Sequence, residues 1–239
     1  MHTHELLGGR STGTLAMSKI RSGLSIACAV AVLLETRIAV PHDDVDASKP
    51  QCGLDSVDPI SLFREGGQLV SPYVVLTDRP ASTARNRESD RRTGIACLDR
   101  AIQLRADYWQ ALWVRGKAYR ALRDFEAARD SFKAAFALQS ENPDVGRELV
   151  AAYLELGDFG EAVPIAKTLS DSHPTNAGLR ANYALALLLD GQIAAAEATV
   201  TDAIRLDPSD PITITLKSRI DDVERGRRRR PISLHDLER

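Results

Sequence analysis

The chain has 239 residues, of which 44% are apolar, 27% charged and 5% aromatic, with a formal charge of −2. These values are ordinary for a soluble globular chain with a sizeable core. The near-neutral charge gives no global reason to expect nucleic acid or an anionic membrane as partner. Three cysteines, Cys28, Cys52 and Cys97, form no CxxC pair, which excludes the usual metal-ligand spacing. Scattered in this way they read as free thiols, with Cys52–Cys97 the pairing that an oxidising compartment would allow.

Residues 1–40 hold a candidate signal or anchor segment. Lys19 and Arg21 precede an uncharged run from Ser22 to Leu34, the order of a secretory n-region and h-region. The run is too short to span a bilayer comfortably, since a helix needs about 20 apolar residues. Met17 stands where a translation start would give such a signal normal proportions. Against this, no small-x-small triplet follows Leu34, and Cys28 does not sit as a lipoprotein cysteine should. Two readings therefore stand side by side: export or membrane tethering, and an ordinary buried or interfacial helix, with a cytoplasmic location equally open.

Residues 41–91 read as an irregular linker region, punctuated by Pro41, Pro50, Pro59, Pro72 and Pro80. Its apolar pieces, ISLF and QLVSPYVVL, suffice for one short strand or a packed loop.

From residue 92 a repeat takes over. The turn positions Arg123, Gly157 and Gly191 recur every 34 residues, as do Ala128, Ala162 and Ala196, and then Ser140, Pro174 and Pro208. Ala and Leu dominate, which suits close-packed helices. Asp124 and Asp158 precede second helices as candidate caps, and Glu161 gives Asp158 a capping-box spacing. Pro174 and Pro208 close those helices. Pro164 disagrees with the pattern; it predicts either a late helix start or a bend.

The units resemble the tetratricopeptide repeat (TPR) family. The first supplies Gly116, Tyr119, Ala128, Phe132 and Ala135; the second Tyr153, Gly157, Ala162 and Pro174; the third Ala184, Gly191, Ala196, Ala203 and Pro208. Ser140, Val150 and Leu169 depart from the pattern. The resemblance implies an all-α solenoid of helical hairpins wound as a right-handed superhelix over residues 92–225. Three full repeats fall at 109–142, 143–176 and 177–210. A degenerate first unit precedes them, its second helix near 94–107 and its first drawn from the polar stretch around Ala81–Asp90. A capping helix follows Pro208, for about eight helices. Residues 226–239 form a basic tail, with Arg225 and Arg227 to Arg230 in one cluster.

In this family first-helix positions two, five, nine, twelve and thirteen line a concave groove. Carried over by register, these positions give Gln110, Trp113, Lys117 and Arg120, then Asp144, Arg147, Leu154 and Glu155, then Gly178, Ala181, Leu185 and Leu188. We take Gln110, Trp113, Lys117, Arg120, Arg147, Leu154 and Leu185 as the candidate peptide-binding set. Its guanidinium groups suit an acidic or C-terminal peptide with an apolar anchor. Trp113 has a competing place in the core between units. The Lys and Asn clamp of chaperone-binding relatives is not reproduced, because Trp113 and Lys117 hold the relevant positions.

Nothing points to catalysis. His2, His4, His42, His173 and His235 share no spacing suited to a metal or a base, and no Gly-rich phosphate loop or Gly-x-Ser-x-Gly elbow occurs. The expectation is a non-catalytic scaffold without cofactor or metal, binding an unidentified protein or peptide. The alternatives are a membrane-tethered recruiter and an arginine tail that docks to nucleic acid or anionic lipid. The tail also reads as a solvated terminus balanced by Asp221, Asp222, Glu224 and Asp236.

Overall fold

The computed structural model describes residue 53, residues 55–74 and residues 84–238, with side chains described except at 72–74, 84–87 and 238. The signal-like segment, Cys28, Cys52, His2, His4 and His42 lie outside the described residues. Within them the chain forms nine α-helices and no strand. They are α1 (Pro59–Val74), α2 (Ala84–Leu104), α3 (Trp109–Ala121), α4 (Phe125–Leu138), α5 (Pro143–Leu156), α6 (Phe159–Ser172), α7 (Ala177–Asp190), α8 (Ile193–Leu206) and α9 (Pro211–Glu224). A short 3-10 helix at Leu234–Glu238 ends the described chain. Each helix packs on its neighbours in sequence, so the molecule is a solenoid of hairpins.

The helices start where local chemistry lets them. Asn142 accepts from Asp144 N and Val145 N ahead of Pro143, and Asp210 accepts from Ile212 N and Thr213 N ahead of Pro211. Proline at the first helical position has no N–H to leave unsatisfied, and the preceding cap holds the next donors. Asp124 accepts from Ala127 N at 3.1 Å. Asp158 makes no side-chain cap bond, so the capping box expected with Glu161 does not form. That turn is held instead by the backbone bond from Asp158 N to Tyr153 O, 2.9 Å.

Pro164 lies inside an unbroken α6, so that helix does not begin late. The carbonyl that loses its donor belongs to Gly160, an exposed residue where solvent reaches it. The large Leu169, where the repeat favours a small residue, is accommodated by Gly146. A Cβ on Gly146 would stand 2.6 Å from Leu169 Cδ1.

The first hairpin corrects the sequence reading. The partner of α2 is α1, which runs through the stretch read as linker and takes in ISLF and most of QLVSPYVVL on one helix. Asp58 caps it, accepting from Ile60 N and Ser61 N at 3.1 Å each, ahead of Pro59. Its fit to α2 depends on two glycines. A Cβ on Gly66 would lie 2.8 Å from Gly94 O, and one on Gly94 would lie 3.0 Å from Gly66 O. Gly94 is 34 residues before Ala128, so this contact repeats the small-residue approach of the later units. Beside it Cys97, wholly buried, is disulfide-bonded, contrary to its reading as a free thiol.

One core runs from Leu112 to Leu237 and draws on every element from α3 to α9 and on the C-terminal 3-10 helix. Smaller clusters, Val70 with Ile95 and Ala118 and Leu98 with Tyr108 and Ala111, tie the first hairpin to α3.

Candidate functional site

The first helices of the full units, α3, α5 and α7, carry the register positions expected to line a groove, and α9 continues the series at 34-residue spacing. The structure gathers three of the expected residues around a group the sequence reading did not single out. Glu148 on α5 is 0% exposed. Arg120 Nη1 donates to Glu148 Oε2 at 2.6 Å, and Lys117 Nζ lies 3.2 Å from Oε1 as an ion pair without hydrogen-bond alignment. Lys117 Nζ also stands 4.3 Å from the centroid of the Trp113 ring, a cation–π contact. A carboxylate buried this completely persists because two cations offset its charge, and the same enclosure restricts the arrangement.

Glu148 occupies the sixth register position, held by Val114, Asn182 and Leu216 in the other units. A charged residue at a position otherwise apolar or amide was the signal available in the sequence.

The remaining expected residues fall differently. Arg147 bonds to Asp144 three residues earlier on its own helix. Gln110 is half-buried near the start of α3. Leu154 and Leu185 are 1% and 2% exposed and belong to the core, so they form the floor beneath the surface rather than an accessible anchor. Trp113, 5% exposed, is also in the core and lies 6.5 Å from the Trp109 ring. The cations expected to meet a ligand's carboxylates thus already have carboxylates of the chain itself.

Trp113 Nε1 is buried without a hydrogen-bond partner, and so is Glu155 Oε2. Burial pushes the Glu155 carboxyl up to about 7, with Arg120 and Arg123 opposing the rise and Glu148 adding to it. Glu155 therefore changes charge near neutral pH, beside an ion cluster whose own members are paired.

Elsewhere the surface offers less. An open cleft of about 600 Å³ lies between α2 and the turn after α3, lined by Arg92, Asp99, Tyr119, Arg123 and Asp124 among others. Among the described residues no group of three or more His, Cys, Asp or Glu is placed to hold a metal, and no helix is long and apolar enough to cross a membrane.

Family models for the tetratricopeptide repeat match residues 83–143, 119–172 and 153–220, together more than half of the chain. Among solved structures, the chain is similar to YrrB, described as a TPR protein with an unusual peptide-binding site. The TM-score is 0.57 at 16% identity, covering 76% of this chain and 85% of that one. It is similar to the same degree to MamA, from residue 41 to the end, of Desulfovibrio magneticus RS-1. There the TM-score is 0.57 at 17% identity, covering 71% and 86%. At these identities the likeness is one of fold. No functionally described protein matches the chain in sequence. With three in-phase units, helical hairpins at each of them and family models spanning the same residues, the chain belongs to the tetratricopeptide repeat family.

Proposed function

We propose that this chain is a non-catalytic scaffold that binds a peptide or protein segment along the concave positions of its first two full units. One observation carries the reading: an indole N–H on α3 and a carboxyl oxygen on α5 are both buried and unpartnered at groove register positions, beside a rigid Lys117–Glu148–Arg120 cluster. A buried polar atom without a partner costs about 1–3 kcal/mol, and a ligand that supplies the partner recovers it. Trp113 Nε1 lacks an acceptor and Glu155 Oε2 a donor; both atoms are covered, so a peptide backbone would meet them once the side chains over them move aside. Glu148 pairs with both Lys117 and Arg120 but balances only one of their two charges, so the strip suits main-chain groups with at most one acidic group rather than a carboxylate-rich ligand. The peptide-binding site in YrrB's description is in keeping with this use of the fold.

The test is affinity capture from native cells with the intact chain, Trp113→Phe and Glu155→Gln. Trp113→Phe removes the indole N–H together with part of a core ring, and Glu155→Gln replaces the ionisable oxygen with an amide donor of the same shape, so helical circular dichroism and thermal stability are checked on both before capture. A partner retained in full by both variants would reject this strip as its seat.

A second reading, a chain exported or tethered outside the reducing cytoplasm, is favoured by the Cys97 disulfide, since such bonds persist in oxidising compartments. The signal-like order of residues 19–34 agrees with it. Thiol labelling of the protein taken directly from cells, with fractionation, tests this; a fully reduced chain in the soluble cytosol would reject it.

A further inference from the structure

The C-terminal segment returns along the register positions that continue the groove. After α9, Gly226 adopts a left-handed φ of 67° and reverses the chain. Arg227 then pairs with Asp222, at the twelfth register position, and Arg230 Nη1 donates to Leu189 O at 2.5 Å, at the thirteenth position of α7. Arg219, at the ninth position of α9, donates from Nη2 to Leu237 O at 2.8 Å and from Nη1 to Asp236 O at 3.5 Å. Leu237 itself is 2% exposed and joins the main core. The segment holds its own shape: Ile232 N donates to Asp236 Oδ2, and Asp236 N to Ser233 Oγ.

This is how a bound peptide would be held. One apolar side chain is seated, two main-chain carbonyls are taken by an arginine at a groove position, and a short turn is closed by its own polar groups. Of the three contacting positions on the solenoid, Arg219 and Asp222 offer side chains at register positions that line grooves, and Leu189, at the thirteenth, offers its carbonyl. We propose that residues 231–238 are a tethered ligand that occupies the α7–α9 end of the groove. A partner using that end would be a short segment with a leucine-like anchor and free main-chain carbonyls, and it would compete with the tail. The inference rests on the concave face being a peptide groove, but it concerns a different stretch of that face from the Trp113–Glu155 strip.

The probe is a fluorescein-labelled peptide of residues 229–239, added in trans to the full chain and followed by anisotropy. In Leu237→Asp the tethered segment is released, and this opened chain should bind the peptide at least tenfold more tightly than the intact chain. Adding Arg219→Ala to the opened chain should weaken binding at least tenfold. If Leu237→Asp loses its helical circular dichroism, Leu234→Ser, at a half-buried residue, takes its place under the same criteria. A folded opened chain that binds the peptide no better than the intact chain overturns the proposal, as does tight binding unaffected by Arg219→Ala. Either failure leaves the capture experiment at Trp113 and Glu155 unaffected, so the two readings fail separately.

Discussion

The same register positions are used differently at the two ends of the solenoid. On α3 and α5 they carry Trp113, Lys117, Arg120 and Glu155 around buried Glu148, with Trp113 Nε1 and Glu155 Oε2 buried without a hydrogen bond. On α7 and α9 they carry Leu185, Leu188 and Arg219, and there the core and the chain's own C-terminal segment take up every group described above. A repeat fixes where groove residues stand, while the residues themselves decide whether a position is spent internally. The first end keeps unmet hydrogen-bonding capacity; the second has already met its own.

Removing the charge at the centre of the first end breaks this contrast most severely. Glu148→Ala leaves Lys117 and Arg120 enclosed without their counterion, and stability should fall by about 3–5 kcal/mol in urea denaturation. A loss under about 1 kcal/mol would mean that the cations simply swing into solvent and that the cluster is not rigid.

A smaller effect sharpens the picture by pH. The Glu155 carboxyl ionises near 7 in the folded chain, against 4.5 for an unperturbed glutamate. Between those values the folded state holds the extra proton. Its stabilising contribution is complete below 4.5 and is lost as the pH rises through 7. Glu155→Gln should flatten this part of the stability profile and raise stability at pH 8 by on the order of 2 kcal/mol. An unchanged slope between pH 5 and 7 would place the proton elsewhere.

The smallest effect concerns the turn between α3 and α4. Arg123 has φ 63°, where the equivalent residues of the next two units are Gly157 at 82° and Gly191 at 88°. A side chain in the left-handed region costs about 1 kcal/mol. Arg123→Gly should therefore raise stability by a fraction of that, since the Arg123 guanidinium is 5.5 Å from the Phe125 ring and that contact would be lost. Destabilisation would show that the cation–π contact outweighs the backbone strain.

What the sequence made legible follows from these particulars. Three units in phase at 34 residues fix α3 to α8, because the spacing reports packing between neighbours and needs no distant information. The second helix of the degenerate first unit was legible near 94–107, but its partner α1 was not, because residues 75–83 break the 34-residue spacing. Its signature was nonetheless present: Asp58-Pro59 matches Asn142-Pro143 and Asp210-Pro211 at the starts of α5 and α9. For the site, register placed Trp113, Lys117 and Arg120 on one strip. It could not say that Glu148 would capture both cations, since pairing between adjacent helices depends on side-chain reach rather than on period. The returning tail has no periodicity, and its partners, the carbonyl of Leu189 and the side chain of Arg219, lie 41 and 18 residues away from Arg230 and Leu237.

The most direct test of the groove is site-specific photocrosslinking in native cells, with a benzophenone amino acid placed at Gln110 or, as control, at exposed Lys133 on α4. The account predicts that position 110 crosslinks a partner in the intact chain and that this signal falls in Trp113→Phe, while position 133 gives no such product. Equal crosslinking from both positions, or from 133 alone, would contradict the concave strip as the working surface.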